Sequence, residues 1–359
     1  MVRTAVLAGL VGAAMLGGEA QAQYRAEPFT FTYDGLTYAG YIDQPEDGEA
    51  KGLVLLIPGH GRTEVTEGHT MRYERERFIE WGYATAIWDR AGNGLSEGEY
   101  DHNQPVQDSA REAAAALDAL REMGAPGVDT VGFWGVSRGG WIAPLAIVED
   151  GDVDFWISVS GPDGLETFGY MLRRNVELDG RTPEQARRVS DAWAEAQRLL
   201  NDPGATYETY LETVEPLHDD PWFSELDGSG PPTREEFEAT HRERLADPME
   251  IDPETGMPVM VRNFDRVLNA LDMPVLAIWG DKDSQLDWRA ARALYEATLG
   301  TDPQSDLTVR VLENCNHSMR VVETGAYRED LSADGLGQRC AGYTDAMRVF
   351  MEELAATPD

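Results

Sequence analysis

Residues 130–148 read TVGFWGVSRGGWIAPLAIV and place a serine, Ser137, midway between Gly135 and Gly139. The apolar run before the motif is typical of a buried strand, and the segment after it can form a helix. A sharp strand-to-helix turn needs glycine two positions to either side of its central residue, because side chains there would collide with neighbouring backbone. Such a turn exposes the serine hydroxyl and directs the helix N-terminus toward it. The stretch therefore predicts a nucleophile at Ser137 rather than a glycine turn with an incidental serine.

Further apolar runs lie on both sides of this stretch, separated by helical patterns. They cover residues 53–57, 83–88, 155–160, 274–279 and 307–312, with helices expected at 106–123 and 343–354. Continuous apolar runs are typical of strands buried on both faces of a parallel sheet. Before them, residues 29–42 alternate around Asp34-Gly35, which predicts an antiparallel hairpin. The order of elements predicts an α/β fold with a mostly parallel, doubly wound sheet.

Residues 161–271 are polar, charged and helical, and no buried-strand pattern interrupts them. A helix is expected to start near Pro183, because proline favours the first helical position. We expect this segment to be a helical cap inserted into the sheet domain. The core would then consist of two parts, residues 23–160 and 272–359.

The first 22 residues differ from the rest of the chain. Arg3 precedes an apolar run over residues 5–16, and small residues follow up to Ala22. This pattern is typical of a signal peptide. The run is too short to span a bilayer as a stable anchor. We expect an exported protein, periplasmic or secreted, whose mature chain does not insert into a membrane; an uncleaved N-terminal anchor is the alternative.

The formal net charge of −35 excludes some classes of partner. Nucleic-acid binding depends on clustered Lys and Arg, so this chain is not expected to bind DNA or RNA, and anionic membranes are disfavoured likewise. Only two residues are lysine, Lys51 and Lys282. The charge is typical of a solvated acidic surface and identifies no substrate.

The chain has two cysteines, Cys315 and Cys340. In an oxidising compartment they can form a disulfide. The alternative is a pair of buried, unpaired thiols. Neither cysteine belongs to a cluster with metal-ligand spacing, so no metal site is expected.

A serine nucleophile needs a base, and histidine has a suitable pKa near neutrality. The chain has six histidines, which are His60, His69, His102, His218, His241 and His317. Only His317 follows the last expected strand, in a loop over residues 314–318. The acid that orients the base should follow the strand before it. Spacing alone leaves Asp281, Asp283 and Asp287 open.

These motifs, in this order, resemble the α/β-hydrolase superfamily. Residues 88–96, WDRAGNGLS, are similar to the Asp-Arg-x-Gly-x-Gly-x-Ser turn of bacterial carboxylesterases and of serine aminopeptidase-like hydrolases. Residues 135–144 are similar to the turn around the nucleophile in the same group. The resemblance implies that the acid is the last residue of a Gly-x-x-Asp pattern, which here is Asp283 after Gly280. We interpret the turn at 88–96 as structural.

The resemblance also implies an oxyanion hole after the strand at 53–57. That family usually carries His-Gly there, followed by the residue whose backbone N–H is one donor. In this chain Pro58 precedes Gly59, so the donor is either His60, at the aligned position, or Gly61. The second donor would be the N–H of Arg138.

The sequence therefore predicts a serine hydrolase that cleaves carboxylic esters through a Ser137–His317–Asp283 triad and an acyl-enzyme, without a cofactor. A peptidase or amidase with the same triad is the alternative. A third hypothesis is a non-catalytic binding protein on this fold, and a complete triad in the right order argues against it. The expected partner is a small ester or short peptide.

Overall fold

A computed structural model describes residues 24–46, 49–65, 70–227, 230–301, 306–332 and 337–356. The expected signal peptide and His69 lie outside these residues. The strands are β1 (Tyr24–Tyr33), β2 (Leu36–Pro45), β3 (Leu53–Ile57), β4 (Ala84–Trp88), β5 (Val131–Val136), β6 (Phe155–Val159), β7 (Val275–Gly280) and β8 (Leu307–Leu312). The helices are α1 (Arg72–Glu80), α2 (Val106–Glu122), α3 (Gly139–Asp150), α4 (Phe168–Leu178), α5 (Pro183–Leu200), α6 (Tyr207–His218), α7 (Pro221–Asp227), α8 (Arg234–Ala246), α9 (Phe264–Asn269), α10 (Trp288–Thr298), α11 (Tyr327–Ser332) and α12 (Tyr343–Ala356).

The described strands form one sheet in the order β1-β2-β4-β3-β5-β6-β7-β8. Strands β3 to β8 pair in parallel, whereas β2 is antiparallel to both β1 and β4. Asp34 and Gly35 form the two-residue turn between β1 and β2 with φ values of 46° and 76°. Both expectations, the mostly parallel doubly wound sheet and the opening hairpin, are confirmed.

Alternate residues of the central strands pack against opposite faces of the sheet. Leu53 and Leu55 of β3 belong to a core shared with α2, α3, α9 and α10. Val54 and Leu56 belong to a second core that includes residues of α1 and α12. Side chains alternate in direction along a strand, so a strand covered by helices on both faces must be apolar throughout. This is why the central strands read as continuous apolar runs.

Helices α4 to α9 lie between β6 and β7. A separate apolar cluster joins α4, α5, α6 and α7 through side chains that include Leu172, Val189 and Trp222. Phe264 and Leu268 of α9 instead pack in the core of the sheet. Helices α5, α6 and α8 each begin with a threonine capping box, which supplies acceptors for N–H groups that the first turn leaves unpaired. No helix in the described part of the chain is long and apolar enough to cross a membrane.

A buried ion pair joins α1 to β2. Arg75 Nε lies 2.5 Å from Asp43 Oδ2, and the two side chains are 5% and 0% exposed. Thr85 of β4 also donates to this carboxylate, at 3.4 Å. Removing one partner from a buried pair leaves an uncompensated charge in an environment that solvates it poorly.

We therefore expect Arg75→Met to lower the free energy of unfolding by about 3 to 5 kcal/mol, measured by urea denaturation. Arg72→Met on the same helix is the matched control, because the Arg72–Glu76 pair lies at the surface and its arginine is 44% exposed. That change should cost less than about 1 kcal/mol. Equal losses of unfolding free energy in the two variants would contradict the conclusion that burial makes the Arg75–Asp43 pair the more important one.

Candidate active site

Ser137 occupies the turn between β5 and α3 in a left-handed backbone conformation, with φ of 54°. A Cβ atom on Gly135 would lie 2.6 Å from the carbonyl oxygen of Gly139, and one on Gly139 would lie 2.5 Å from the carbonyl oxygen of Ile57. Both distances are too short for a carbon atom, so neither glycine can be replaced without moving backbone. The strained, half-buried serine is held by close packing between β3, β5 and α3.

The carboxyl end of β6 connects Ser137 to the loop that carries His317. The Ser137 N–H donates to the carbonyl oxygen of Val159 at 2.9 Å. The next residue, Ser160, donates its hydroxyl to the carbonyl oxygen of His317 at 2.8 Å. Two adjacent residues therefore hold the expected nucleophile and the expected base at the same edge of the sheet. Sequence reasoning did not identify this role for Ser160.

Asp283 contacts the imidazole of His317 directly. Asp283 Oδ2 lies 2.7 Å from His317 Nδ1, and the residues are 2% and 9% exposed. The other carboxylate oxygen, Oδ1, accepts the N–H groups of Gln285 at 2.8 Å and Leu286 at 3.2 Å. Because backbone donors fix the carboxylate, it can hold the ring in the tautomer that carries a proton on Nδ1.

The other two candidate acids contact different groups. Asp281 Oδ1 accepts the N–H of Cys315 at 3.2 Å and so supports the loop of His317. Asp287 caps α10 by accepting the N–H groups of Arg289 at 3.1 Å and Ala290 at 3.3 Å. The three aspartates that spacing left open thus have distinct structural partners, and Asp283 is the one that contacts the imidazole.

A disulfide joins Cys315 to Cys340, with 5.8 Å between their Cα atoms. Both residues are buried in the core on the α12 side of the sheet. The carbonyl oxygen of Cys315 also accepts the N–H of Lys282 at 2.9 Å. The covalent bond therefore anchors the loop two residues before His317, in addition to the contact with Ser160.

The loop after β3 runs beside Ser137. A Cβ atom on Gly59 would lie 3.2 Å from Cβ and 3.8 Å from Oγ of the serine. Arg90 holds this loop by donating to the carbonyl oxygens of Pro58 at 3.1 Å, of Gly59, and of Gly61 at 2.5 Å. The turn at 88–96 therefore positions the loop of the expected oxyanion hole, a role that the conspicuous Arg90 in its motif could have suggested.

His60 uses its side chain to contact another loop. Its Nε2 lies 2.6 Å from Nε2 of His102, with the two rings nearly perpendicular. The pKa of His60 falls to about 4, because partial burial disfavours the charged ring and because His102, Arg138 and Arg90 lie nearby. His60 therefore stays neutral at physiological pH, and its imidazole is engaged within the protein.

Arg138, at the start of α3, contacts another loop through its side chain. Its guanidinium donates to the carbonyl oxygen of Gln104, in the loop before α2. Burial and the nearby Arg90 lower its pKa to about 10, which leaves it charged at neutral pH. The N–H groups of Arg138 and His60 have no acceptor among the residues that the structure describes.

The remaining described histidines, His218 and His241, contact phenylalanine rings. His218 packs against Phe223, and His241 stacks on Phe237 in the helices between β6 and β7. Across the described ranges, no group of three or more His, Cys, Asp or Glu side chains is arranged to hold a metal ion.

Comparison with solved structures identifies the fold. The chain is similar to the esterase Pf2001 of Pyrococcus furiosus, with 14% identity, 92% of this chain and 91% of that chain covered, and a TM-score of 0.51. It is similar to Est1E of Butyrivibrio proteoclasticus, solved with ferulic acid bound, at 17% identity, 92% and 100% coverage and a TM-score of 0.51. It is also similar to the α/β hydrolase GrgF of Penicillium sp. sh18, at 16% identity, 93% and 100% coverage and a TM-score of 0.50. The chain therefore has the α/β-hydrolase fold, as the resemblance implied.

Comparison at the level of sequence adds no assignment. No family model matches the chain, and no curated protein matches it.

Substitution of Asp283 tests its contact with His317. Asp283→Asn should lower kcat on an activated ester by about 10⁴-fold while the fold survives, because the amide favours the wrong imidazole tautomer. Asp281→Asn is the matched control. It should change kcat little, because the amide oxygen can still accept the N–H of Cys315. A larger loss in the Asp281 variant would reassign the acid.

Reduction of the disulfide should affect both stability and rate. The bridge spans a sequence separation of 25, for which the chain-entropy model gives about 3 to 4 kcal/mol of stabilisation. Release of the loop also lets the imidazole sample more positions, and a misplacement of about 1 Å can cost roughly 100-fold in rate. Cys340→Ser should therefore lower Tm and kcat together, although residue 340 need not touch the substrate. Unchanged Tm and kcat in this variant, or after reduction that mass spectrometry shows to be complete, would refute this.

Proposed function

We propose that this protein is a serine hydrolase that cleaves carboxylic esters, with Ser137 as nucleophile, His317 as base and Asp283 as orienting acid. The observation that carries the proposal is the 2.7 Å contact between Asp283 and His317, at the sheet edge where Ser137 occupies its left-handed turn. A serine, a histidine and a buried carboxylate in this arrangement suit nucleophilic acyl transfer.

The reaction would proceed in two halves. The Ser137 hydroxyl gives its proton to Nε2 of His317 as Oγ bonds to the ester carbon, and the imidazolium then protonates the departing alcohol. Asp283 stabilises the imidazolium through Nδ1–H. In the second half, His317 takes a proton from water, the hydroxide oxygen bonds to the acyl carbon, and Ser137 recovers its proton as the acid leaves.

Two backbone N–H groups would stabilise the oxyanion. Arg138 N–H lies at the start of α3, where the helix dipole favours negative charge. For the second donor, the contacts of Arg90 are compatible with His60, the aligned position. In a trans peptide the N–H points opposite to the preceding carbonyl. Arg90 binds the carbonyl of Gly59, so the N–H of His60 is turned away from Arg90 and remains available.

Ester cleavage is favoured over peptide cleavage. Two of the similar solved structures are described as esterases. A cleft beside the loop of Asp283 has arginine at four lining positions, and this positive charge would oppose the ammonium group of a peptide N-terminus. Both observations support the proposal that the substrate is an ester.

Export is part of the proposal. The N-terminal 22 residues have the pattern of a signal peptide. The Cys315–Cys340 disulfide is expected in an oxidising compartment, because the cytosol keeps thiols reduced. The proposed location is periplasmic or extracellular.

Covalent labelling tests the nucleophile. A fluorophosphonate probe should add one label per chain, located on Ser137 by peptide mass spectrometry, and Ser137→Ala should abolish both the label and the hydrolysis of 4-nitrophenyl butyrate. Ser224→Ala is the matched control, because Ser224 is exposed on α7, and it should label like the unaltered protein. Undiminished labelling of the Ser137 variant would falsify the assignment.

A further inference from the structure

A cleft of about 410 Å³ lies between α4, α5 and the start of α10. Its volume falls within the range of small-molecule sites. Half of its eight lining residues are arginine, whereas Lys and Arg together make up only 30 of the 359 residues, and the chain has a net charge of −35. The four are Arg173 and Arg174 of α4, Arg187 of α5 and Arg289 of α10. Positive charge is therefore concentrated here in a strongly acidic protein.

The acidic residues of the cleft are engaged by other groups. Oε2 of Glu177 lies 3.5 Å from Nη1 of Arg174. Asp287 caps α10 by accepting backbone N–H groups. Arg173, Arg187 and Arg289 are exposed and form no ion pair with any residue in the described part of the chain. A guanidinium binds a carboxylate through two parallel N–H donors. The cleft thus presents three such groups without a carboxylate partner.

Tyr170 of α4 adds a neutral donor to the same cleft. Burial and the nearby carboxylates of Asp287 and Asp283 raise the pKa of its phenol to about 12. The hydroxyl therefore keeps its proton and can donate a hydrogen bond to an anion. Asp283, the acid of the proposed triad, is therefore one of the carboxylates that act on this phenol.

The chain path limits the distance between the cleft and that acid. Asp287 lines the cleft and follows Asp283 by four residues, which can span at most about 14 Å. Asn175, a buried residue of α4, donates to the carbonyl oxygen of Ser284 at 3.0 Å and accepts the N–H of Tyr327 at 2.7 Å. Helix α4 is therefore fastened to the loop of Asp283, and the cleft has a defined position relative to it.

We propose that this cleft binds a carboxylate carried by the substrate, so that the enzyme prefers esters with a negative charge several carbon atoms from the scissile bond. The inference rests on the proposed ester hydrolase function and extends it to a substrate class. The carboxylate can belong to the acyl part or to the alcohol part of the ester.

Two pairs of esters distinguish these sources. In the acyl pair, the 4-nitrophenyl monoester of suberic acid is compared with its methyl-capped, neutral analogue. In the alcohol pair, 4-butyryloxybenzoate is compared with its methyl ester, and release of the phenol is followed. We expect kcat/KM to favour the charged member of at least one pair, and we expect added salt to reduce this preference through screening.

Charge removal assigns the preference to the cleft. Arg187→Gln and Arg289→Gln should each lower kcat/KM for the preferred charged ester by roughly three- to tenfold and leave the neutral ester unchanged, because exposed guanidinium–carboxylate contacts are of modest strength. Arg188→Gln is the matched control, since Arg188 is exposed on the same helix but does not line the cleft. It should change neither rate.

The outcomes of these experiments distinguish the proposed carboxylate site from the proposed hydrolase function. Hydrolysis of all four esters without a charge preference, or equal losses on charged and neutral esters in the arginine variants, would overturn the inference and leave the hydrolase intact. Absence of all hydrolysis would overturn the proposed function. In that case suberate binding remains a direct test, and a rise in Tm that disappears in the Arg187→Gln/Arg289→Gln double variant would still support a carboxylate site.

Discussion

The close backbone packing around Ser137 is the constraint on which the site depends. Gly135 and Gly139 lie so near other carbonyl oxygens that a methyl group at either position would overlap them. The turn can therefore form only where β3, β5 and α3 meet at the carboxyl edge of the sheet. A left-handed serine is locally unfavourable, by about 1 to 3 kcal/mol. The surrounding strands and helix maintain this conformation because their own packing stabilises the sheet.

The loops around Ser137 are each attached to the sheet by separate contacts. Arg90 binds three carbonyl oxygens of the loop after β3, and Ser160 binds the backbone of His317. Asp281 and the disulfide hold the same loop at Cys315, two residues before His317. Catalytic geometry tolerates displacements of only about 1 Å. These contacts provide the rigidity that such a tolerance requires, and most of them come from residues outside the proposed triad.

The distribution of charge is uneven in a way that composition hides. A net charge of −35 suggests a surface that repels anions. The cleft between α4, α5 and α10 nevertheless gathers four of the arginines, and its own acidic residues are occupied by a side chain or by a helix terminus. Local fields in a cleft depend on the nearest unpaired charges and less on the total, because solvent and salt screen distant ones.

The sequence by itself determined the succession of strands and helices along the chain, the opening hairpin and the sheet class. These follow from local apolar periodicity and from turn residues such as Asp34-Gly35. It also identified Ser137, since the motif from Gly135 to Gly139 is contiguous in the sequence. It could not choose among three aspartates without a resemblance, and it did not show the contacts of Ser160, the carbonyl oxygens that Arg90 binds or the arginine cleft. Those features join residues that are 29 to 157 positions apart or lie on three helices. Only the tertiary structure decided them, because the distance between two side chains remote in sequence depends on how the whole chain packs.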